Sequence, residues 1–354
     1  MDIAVHRLYS QRLNKTTFKR PGDVVAWMGA IQAQDYAGAK WSLGLRLAKA
    51  TEAGIEQAID DKRVLRTWAM RGTLHFVAPA DIRWMLELLA PRIIANNARR
   101  YKELELDGRT FARSTDIIAK ALQENKQLDR PALVAILEKK GISAAGQRTP
   151  YLLQRAALER IIFQGVMRSN NPTYLLMDEW ISKTKSLKRD QALAELALRY
   201  FTSRGPATLQ DFIWWSGLSA VDASVALASI KSKLVHETIE EQTYWLLRSM
   251  PKTTKNSSAV YLLPGFDEYL LSYQDRSASM DVKRLRTLTP TNGMLPPTIV
   301  MNGRVEGTWR RTLKKGAAVI EAKPFTELSA VQEQALNAAA LRYGEYLEMP
   351  VEME

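Results

Sequence analysis

The residues with the clearest chemical potential are two glutamines that flank one alanine, in the stretch Gln32-Ala33-Gln34-Asp35. Positions two apart lie on opposite sides of a regular helix but on one side of an extended segment. The pair falls where a predicted helix ends, so both amides could face one cleft. A glutamine amide donates and accepts hydrogen bonds but does not ionise near neutral pH. The pair can therefore orient a water molecule, although it is a poor general base.

Water activation of this weak kind suffices only when the leaving group is already activated. A purine alkylated at N3 or N7 carries a positive charge, which weakens its N-glycosidic bond. Little is then needed beyond positioning water and stabilising an oxocarbenium-like sugar. Asp35 is the adjacent carboxylate that could supply negative charge. The alternative is a polar helix end with ordinary capping, and the bare motif is compatible with both interpretations.

Other familiar catalytic and metal-binding patterns are missing from the sequence. The absence of cysteine excludes disulfides, thiolate zinc sites and cysteine nucleophiles. There is no HExxH, Walker A or GxSxG pattern, and His6, His75 and His236 are far apart in sequence. No lysine stands out as a Schiff-base nucleophile. We therefore expect no metal and no cofactor, with water as the attacking group.

The charge distribution favours a polyanionic partner. The 354 residues carry a formal net charge of +12, and the excess is concentrated in residues 1–184, which hold 29 basic and 19 acidic residues. Such a field favours nucleic acid, although a solvated basic surface is the alternative. The N-terminus lacks an apolar signal core, and no run of about 18 apolar residues occurs. We expect a cytoplasmic protein, nucleoid-associated when bound to DNA, with no membrane partner.

One order of elements, three helices followed by a short β-hairpin, recurs three times along the chain. The clearest copy is residues 189–247, where Thr208 and Ser219 are helix-starting signals and Gly217 is a stop signal. Alternating segments on either side of Glu240-Glu241-Gln242 predict the hairpin. This is the order of a winged helix, a helix-turn-helix with a hairpin wing.

The other two copies are less regular. The second is predicted to have helices at residues 116–125, 130–140 and 150–163, followed by a wing that turns at 169–172. The first is predicted to have helices at residues 3–13, 23–33 and 54–62, a hairpin around Arg71-Gly72, and a long helix from Asp81 to Arg100 that bends near Pro91.

The predicted fold is α+β, with three tandem winged-helix units followed by a small C-terminal β-barrel-like domain. In the last segment, strands are predicted at residues 260–265, 298–301 and 318–321, with a turn at Asn302-Gly303 and a closing helix at 329–346. The predicted boundaries are winged helix 1 with a long connecting helix at residues 1–110, winged helix 2 at 111–184, winged helix 3 at 185–250 and the β-rich domain at 251–354.

Four stretches together resemble the AlkZ/YcaQ family of winged-helix DNA glycosylases. They are the Gln-Ala-Gln motif, LRTWAMRGTLHFVAP, LLPGFDEYLLSYQDR and VEGTWRR. The resemblance implies three winged helices and a C-terminal β-barrel that form a C-shaped clamp around duplex DNA. One branch of the family carries Gln-apolar-Gln and the other Gln-x-Asp, so this chain is similar to the first. By position, Gln34 would then orient the hydrolytic water and Gln32 would assist at the sugar.

Several further residues are candidates for contact with DNA. Arg71 and His75 lie on the first hairpin, which could insert into a groove beside the lesion; a structural role for His75 is the alternative. Trp214 and Trp215 are expected in the core rather than stacked on bases. The remaining candidates are basic or acidic residues that could reach phosphates or the opposite face of the DNA: Arg99, Arg100, Lys102, Asp275, Arg276, Arg310 and Arg311.

The sequence thus predicts a monofunctional glycosylase, acting as a monomer on damaged double-stranded DNA. Full base flipping is not required if the cleft is open. A non-catalytic DNA-binding regulator is the alternative, and it would expose base-reading side chains on its recognition helices. A third possibility is a protein that sequesters a genotoxic ligand. The identity of the lesion, including whether interstrand crosslinks are unhooked, stays open.

Overall fold

The computed structural model describes residues 1–14, 16–182, 186–250, 259–281, 283–284, 288 and 295–354, and it shows a mixed α+β protein. The predicted domain boundaries at 184–185 and at 251 lie outside these residues. Across the described ranges, no helix combines the length and the apolar composition that crossing a membrane requires.

The first segment of the chain contains six helices and three short strands among its described residues. They are α1 (Ile3–Ser10), α2 (Pro21–Met28), β1 (Ala30–Gln32), α3 (Tyr36–Leu45), α4 (Glu52–Asp60), β2 (Leu65–Trp68), β3 (Leu74–Val77), α5 (Ile82–Asn96) and α6 (Ala98–Glu103). The single long helix predicted from Asp81 to Arg100 is instead split, because α5 ends one residue before Asn97 and α6 starts one residue after it.

The second segment has the helix and hairpin order that the sequence predicts. Its elements are α7 (Gly108–Leu122), β4 (Leu128–Asp129), α8 (Arg130–Lys139), α9 (Arg148–Leu158), β5 (Ile162–Arg168), β6 (Asn171–Leu176) and α10 (Met177–Trp180). Helix α7 begins eight residues before the predicted start at 116, because the Asp107 side chain accepts from the Thr110 N–H and caps it. The predicted helix to residue 163 ends at Leu158.

The third segment matches its predicted order closely. It consists of α11 (Arg189–Arg204), α12 (Leu209–Ser216), α13 (Ala220–Ile230), β7 (Leu234–Ile239) and β8 (Gln242–Leu247). Thr208 and Ser219 accept hydrogen bonds from the Asp211 and Asp222 N–H groups, and Gly217 ends α12 in the left-handed region at φ 72°. These local caps fix the helix boundaries.

The C-terminal segment is a five-stranded sheet with a long closing helix. Its elements are β9 (Val260–Leu263), α14 (Glu268–Leu271), β10 (Thr298–Met301), β11 (Arg304–Lys314), β12 (Ala317–Pro324), α15 (Ala330–Leu347) and β13 (Val351–Met353). The strand order β13-β12-β11-β10-β9 leaves β9 and β13 as edges. The sheet is therefore open, and the predicted barrel is not confirmed, because among the described strands the two edge strands do not pair with each other.

The first two hairpins belong to one sheet. Its order is β1-β3-β2-β5-β6-β4, and the two hairpins join where Arg66 of β2 pairs with Gln164 of β5. The third hairpin, β7 and β8, forms a separate two-stranded sheet. Because two of the three wings are merged, a count of three independent winged-helix units is not confirmed.

Candidate functional site

Neither glutamine of the motif lies on a helix: Gln32 is the last residue of a strand, and Gln34 lies in the bend that follows it. Helix α2 ends at Met28, Gly29 adopts φ 70°, and β1 then runs through Gln32. The helix predicted over residues 23–33 is therefore wrong at its end. A glycine with positive φ ends a helix readily because it has no Cβ to clash. Strand β1 places Gln32 directly opposite His75 of β3.

The carbonyl ends of both amides are held by the β2–β3 hairpin, whose connecting residues 69–73 we call the hairpin loop. Gln32 is 7% exposed, and its Oε1 accepts from Arg71 Nη2 at 3.0 Å. Gln34 is exposed, and its Oε1 accepts from the Leu74 N–H at 3.4 Å. Among the described residues, neither Nε2 group has a hydrogen-bond acceptor. Each amide therefore offers its N–H₂ group to water or substrate.

The backbone between the glutamines is fixed just as firmly. The Ala33 N–H donates to the Leu74 carbonyl at 2.7 Å. The Ala33 carbonyl accepts from Nε and Nη2 of the buried Arg66 at 3.0 and 2.8 Å. The Gln32 N–H, on the free edge of the sheet, donates to Glu268 Oε1 at 2.8 Å. The motif is thus held rigidly, as positional catalysis requires.

Glu268 is a buried anion at the base of the site. Its Oε2 accepts from Arg204 Nη2 at 2.7 Å, from the Trp215 indole N–H at 3.1 Å and from Ser272 Oγ at 2.5 Å. Burial raises the pKa of Glu268, but the Arg204 charge and these hydrogen bonds outweigh it and hold the pKa at about 2. The carboxylate is therefore ionised at neutral pH, and a fixed negative charge lies behind Gln32.

Arg71 and His75 occupy the same corner of the molecule. Arg71 donates to the Trp215 carbonyl as well as to Gln32, and burial lowers the pKa of its guanidinium. His75 is 0% exposed, and its Nδ1 lies 2.9 Å from the Thr73 carbonyl. Burial and the nearby Arg71 charge lower the pKa of His75 to about 4, so the ring is neutral. The predicted insertion of His75 into a DNA groove does not fit this burial.

Asp35 is exposed and serves as the N-cap of α3. Its Oδ1 accepts from the Gly38 N–H at 3.1 Å. The capping interpretation therefore describes Asp35, whereas the two glutamines make no capping contact. The carboxylate still lies one residue beyond Gln34 on the exposed side of the motif.

The other residues predicted to contact DNA lie on three different parts of the chain, and within the described residues none of them makes a hydrogen bond to Gln32 or Gln34. Arg99, Arg100 and Lys102 lie on α6, where Arg99 and Arg100 pair with Glu103 at 3.0 and 2.8 Å. Asp275 and Arg276 follow α14, and Arg276 donates to the Leu270 carbonyl at 2.8 Å. Arg310 and Arg311 lie on β11; Arg310 is exposed, while Arg311 donates to the Tyr343 hydroxyl.

Three buried side chains that hold the motif, Arg66, Arg204 and Glu268, were not predicted as site residues. Glu268 lies within LLPGFDEYLLSYQDR, where an acid between aromatic and apolar residues is a signal of a buried charge. Arg204 and Arg66 carry no local signal, because their partners are distant in sequence. Within the described ranges, no cluster of three or more histidine, aspartate or glutamate side chains could hold a metal ion.

Comparisons with known proteins identify the family of this chain. A family model described as "DNA glycosylase AlkZ-like" matches residues 25–346. The interstrand DNA cross-link repair glycosylase of Streptomyces sahachiroi is 24% identical, and the alignment covers 94% of each chain. The solved structure of Streptomyces sahachiroi DNA glycosylase AlkZ superposes with a TM-score of 0.83 and 22% identity, covering all of this chain and 98% of that one. This chain therefore belongs to the AlkZ-like DNA glycosylase family.

Proposed function

We propose that this protein is a monofunctional DNA glycosylase that hydrolyses the N-glycosidic bond of N3- and N7-alkylated purines, including bulky adducts and interstrand crosslinks. One observation carries the proposal. Two neighbouring amides, one at the end of β1 and one in the bend just beyond it, are held by their carbonyl oxygens, and their N–H₂ groups stay available. Such a site positions water without ionising it. The name of the cross-link repair relative supports the inclusion of crosslinks.

The proposed reaction needs no general acid, because the departing base is already cationic. Water attacks the anomeric carbon, the electrons of the C–N bond neutralise the positive purine, and a proton passes from the water to Asp35 or to solvent. Gln34 orients the water, and Gln32 holds the sugar from the other side. The negative charge of Asp35 favours the oxocarbenium-like transition state, whereas Glu268 is paired with Arg204 and positions Gln32 through its backbone N–H.

The partner in this proposal is damaged double-stranded DNA, bound by a monomer. The positive charge of residues 1–184 supports attraction to the duplex. The same proposal includes three winged-helix units with the boundaries given above and a cytoplasmic location. It also includes contacts with DNA from Arg71, the α6 arginines and lysine, Asp275, Arg276, Arg310 and Arg311. In this proposal, the buried His75 side chain stabilises the β2–β3 hairpin and does not contact DNA.

The test measures release of 7-methylguanine from a duplex, detected as alkali-cleavable abasic sites. Gln34→Ala should lower the single-turnover rate about 100-fold or more while the affinity for DNA stays within about twofold. Gln57→Ala is the matched control, because Gln57 is an exposed glutamine whose amide pairs with Asp61. If Gln34→Ala releases the base as fast as Gln57→Ala, the proposed role of the motif is wrong.

The same experiment separates this proposal from a non-catalytic regulator. Sequence-specific binding of undamaged DNA without release of any base would support the regulator. The third segment gives that alternative little support, because α13, the helix in its recognition position, carries no lysine or arginine. It exposes Val221 and Val225 instead, at 74% and 50%. Such a surface does not read base edges.

A further inference from the structure

A cavity of about 440 Å³ lies next to the glutamine site, between the hairpin loop, α5 and α12. Arg71 connects the two places, because it lines the cavity and also donates to Gln32 Oε1 at 3.0 Å. Only the guanidinium of Arg71 would therefore separate a ligand in the cavity from Gln32. The volume is within the range of about 300–1,000 Å³ typical of small-ligand sites.

The cavity combines apolar walls with an accessible indole. Leu88, Leu89, Ile93 and Leu218 provide the apolar walls. Trp214 is predicted from the sequence to lie in the core but is instead 42% exposed and lines this cavity. Its indole N–H donates to the Leu271 carbonyl at 3.1 Å, so the ring is held in position. A fixed, accessible indole is a stacking platform for a planar base.

The charges around the cavity decide which base fits. Arg71, Arg92 and Arg189 line it, against the single carboxylate of Asp222, which pairs with Arg189 at 2.8 Å. Arg92 is exposed and makes no ion pair with any residue in the described part of the chain. A cationic alkylated purine is disfavoured among these arginines, whereas an uncharged base attached to an anionic phosphate is favoured.

We propose that the cavity holds an undamaged nucleotide that leaves the base stack beside the lesion, with its base on Trp214 and its phosphate at Arg71 and Arg92. The inference rests on the proposed glycosylase function and names what the site does with the rest of the duplex. Unstacking a nucleotide costs a few kcal/mol. Stacking on the indole offsets that cost and opens the duplex for the lesion to reach Gln32 and Gln34.

The test measures dissociation constants by fluorescence anisotropy. The duplex carries 7-methyl-2′-fluoro-2′-deoxyguanosine, whose glycosidic bond resists hydrolysis. Trp214→Ala should weaken binding about 5-fold or more. Trp214→Phe should restore most of the affinity because it keeps an aromatic face. Val331→Ala, which removes an exposed apolar side chain of α15, should bind like the wild type. Circular dichroism checks that each variant is folded.

Three further duplexes identify the captured nucleotide. Each replaces one nucleotide beside the lesion with base-free tetrahydrofuran: the pairing partner, the 5′ neighbour or the 3′ neighbour. At one of these positions, the wild type and Trp214→Ala should bind equally well, because no base remains to stack. The inference is overturned if Trp214→Ala binds the intact duplex as tightly as the wild type. It is also overturned if Trp214→Ala weakens binding equally on all three tetrahydrofuran duplexes.

Failure of the proposed function gives a different result. Wild-type protein that releases no base from the ordinary 7-methylguanine duplex defeats the glycosylase proposal. The binding measurements would still support or overturn capture of a nucleotide by the cavity, because they do not depend on hydrolysis.

Discussion

The second and third segments share one order of elements but differ in charge. Residues 108–176 hold 11 basic and 5 acidic residues, a net charge of +6, whereas residues 189–247 hold 5 and 7, a net charge of −2. Arg168 directly precedes the turn of the second wing, whereas Glu240 and Glu241 form the turn of the third. A DNA backbone is attracted by the first of these surfaces and repelled by the second.

The two segments also differ in where their cores lie. The second has a core largely its own, built from α7, α8, α9 and the adjoining Tyr101 of α6. The core of the third merges with that of α5 and the first hairpin. This segment also contributes a buried charge: Arg204 of α11 is 0% exposed and pairs with Glu268 behind the glutamines. The same order of elements therefore carries a net positive charge in one segment and supports the glutamine motif in the other.

The largest expected effect comes from removing the buried charge of the third segment. Arg204→Met should destabilise the protein by about 3–5 kcal/mol, because it leaves Glu268 buried without its partner. Arg155→Met is the matched change in the second segment, where the Arg155–Glu159 pair is partly exposed, and it should cost about 1 kcal/mol or less. Urea unfolding measures both. Equal losses would contradict the division of roles between the segments.

The next effect is a loss of stability in acid that originates beside the third segment. The unfolded chain binds a proton at histidine below about pH 6.5, whereas burial and Arg71 keep folded His75 neutral down to about pH 4. The free energy of unfolding should therefore fall by about 3 kcal/mol as the pH drops from 6.5 to 4. His75→Asn should flatten the profile in that window. An unchanged slope in His75→Asn would show that other groups cause the acid sensitivity.

The sequence predicts a structural feature well when the residues that cause the feature are close together in the chain. The boundaries of α12 and α13 were predicted well, because Thr208, Gly217 and Ser219 act within one turn of each helix end. Strand β1 was mistaken for helix, because it exists only through pairing with β3, more than 40 residues away. The contact between Glu268 and Gln32 spans 236 positions, and no local pattern announces it. The sequence identifies the glutamine motif, whose chemistry stays a prediction, but it does not identify the distant side chains that hold the motif.

The salt dependence of DNA binding should distinguish the surface around α6 and the second segment from the surface of the third segment. Arg99 and Lys102 are exposed on α6, which packs into the core of the second segment through Tyr101. Replacing both with glutamine should reduce the slope of log K against log salt by about 2, since each phosphate contact contributes about 0.9. The control replaces Lys231 and Lys233, which are exposed in the third segment, and should leave the slope unchanged. A smaller slope in the control would place the third segment against DNA.

The smallest effect concerns the tips of the two wings. Arg168→Gln in the second wing should reduce the salt slope by about 1, because its exposed guanidinium makes only a 3.4 Å contact with Gln127 and is available to a phosphate. Glu240→Gln with Glu241→Gln in the third wing should change neither slope nor affinity. If that wing lay against the duplex, removing two negative charges would instead strengthen binding. Titrations of one undamaged duplex at several salt concentrations give both answers, and tighter binding by the third-wing variant would mean that surface charge does not distinguish the two segments.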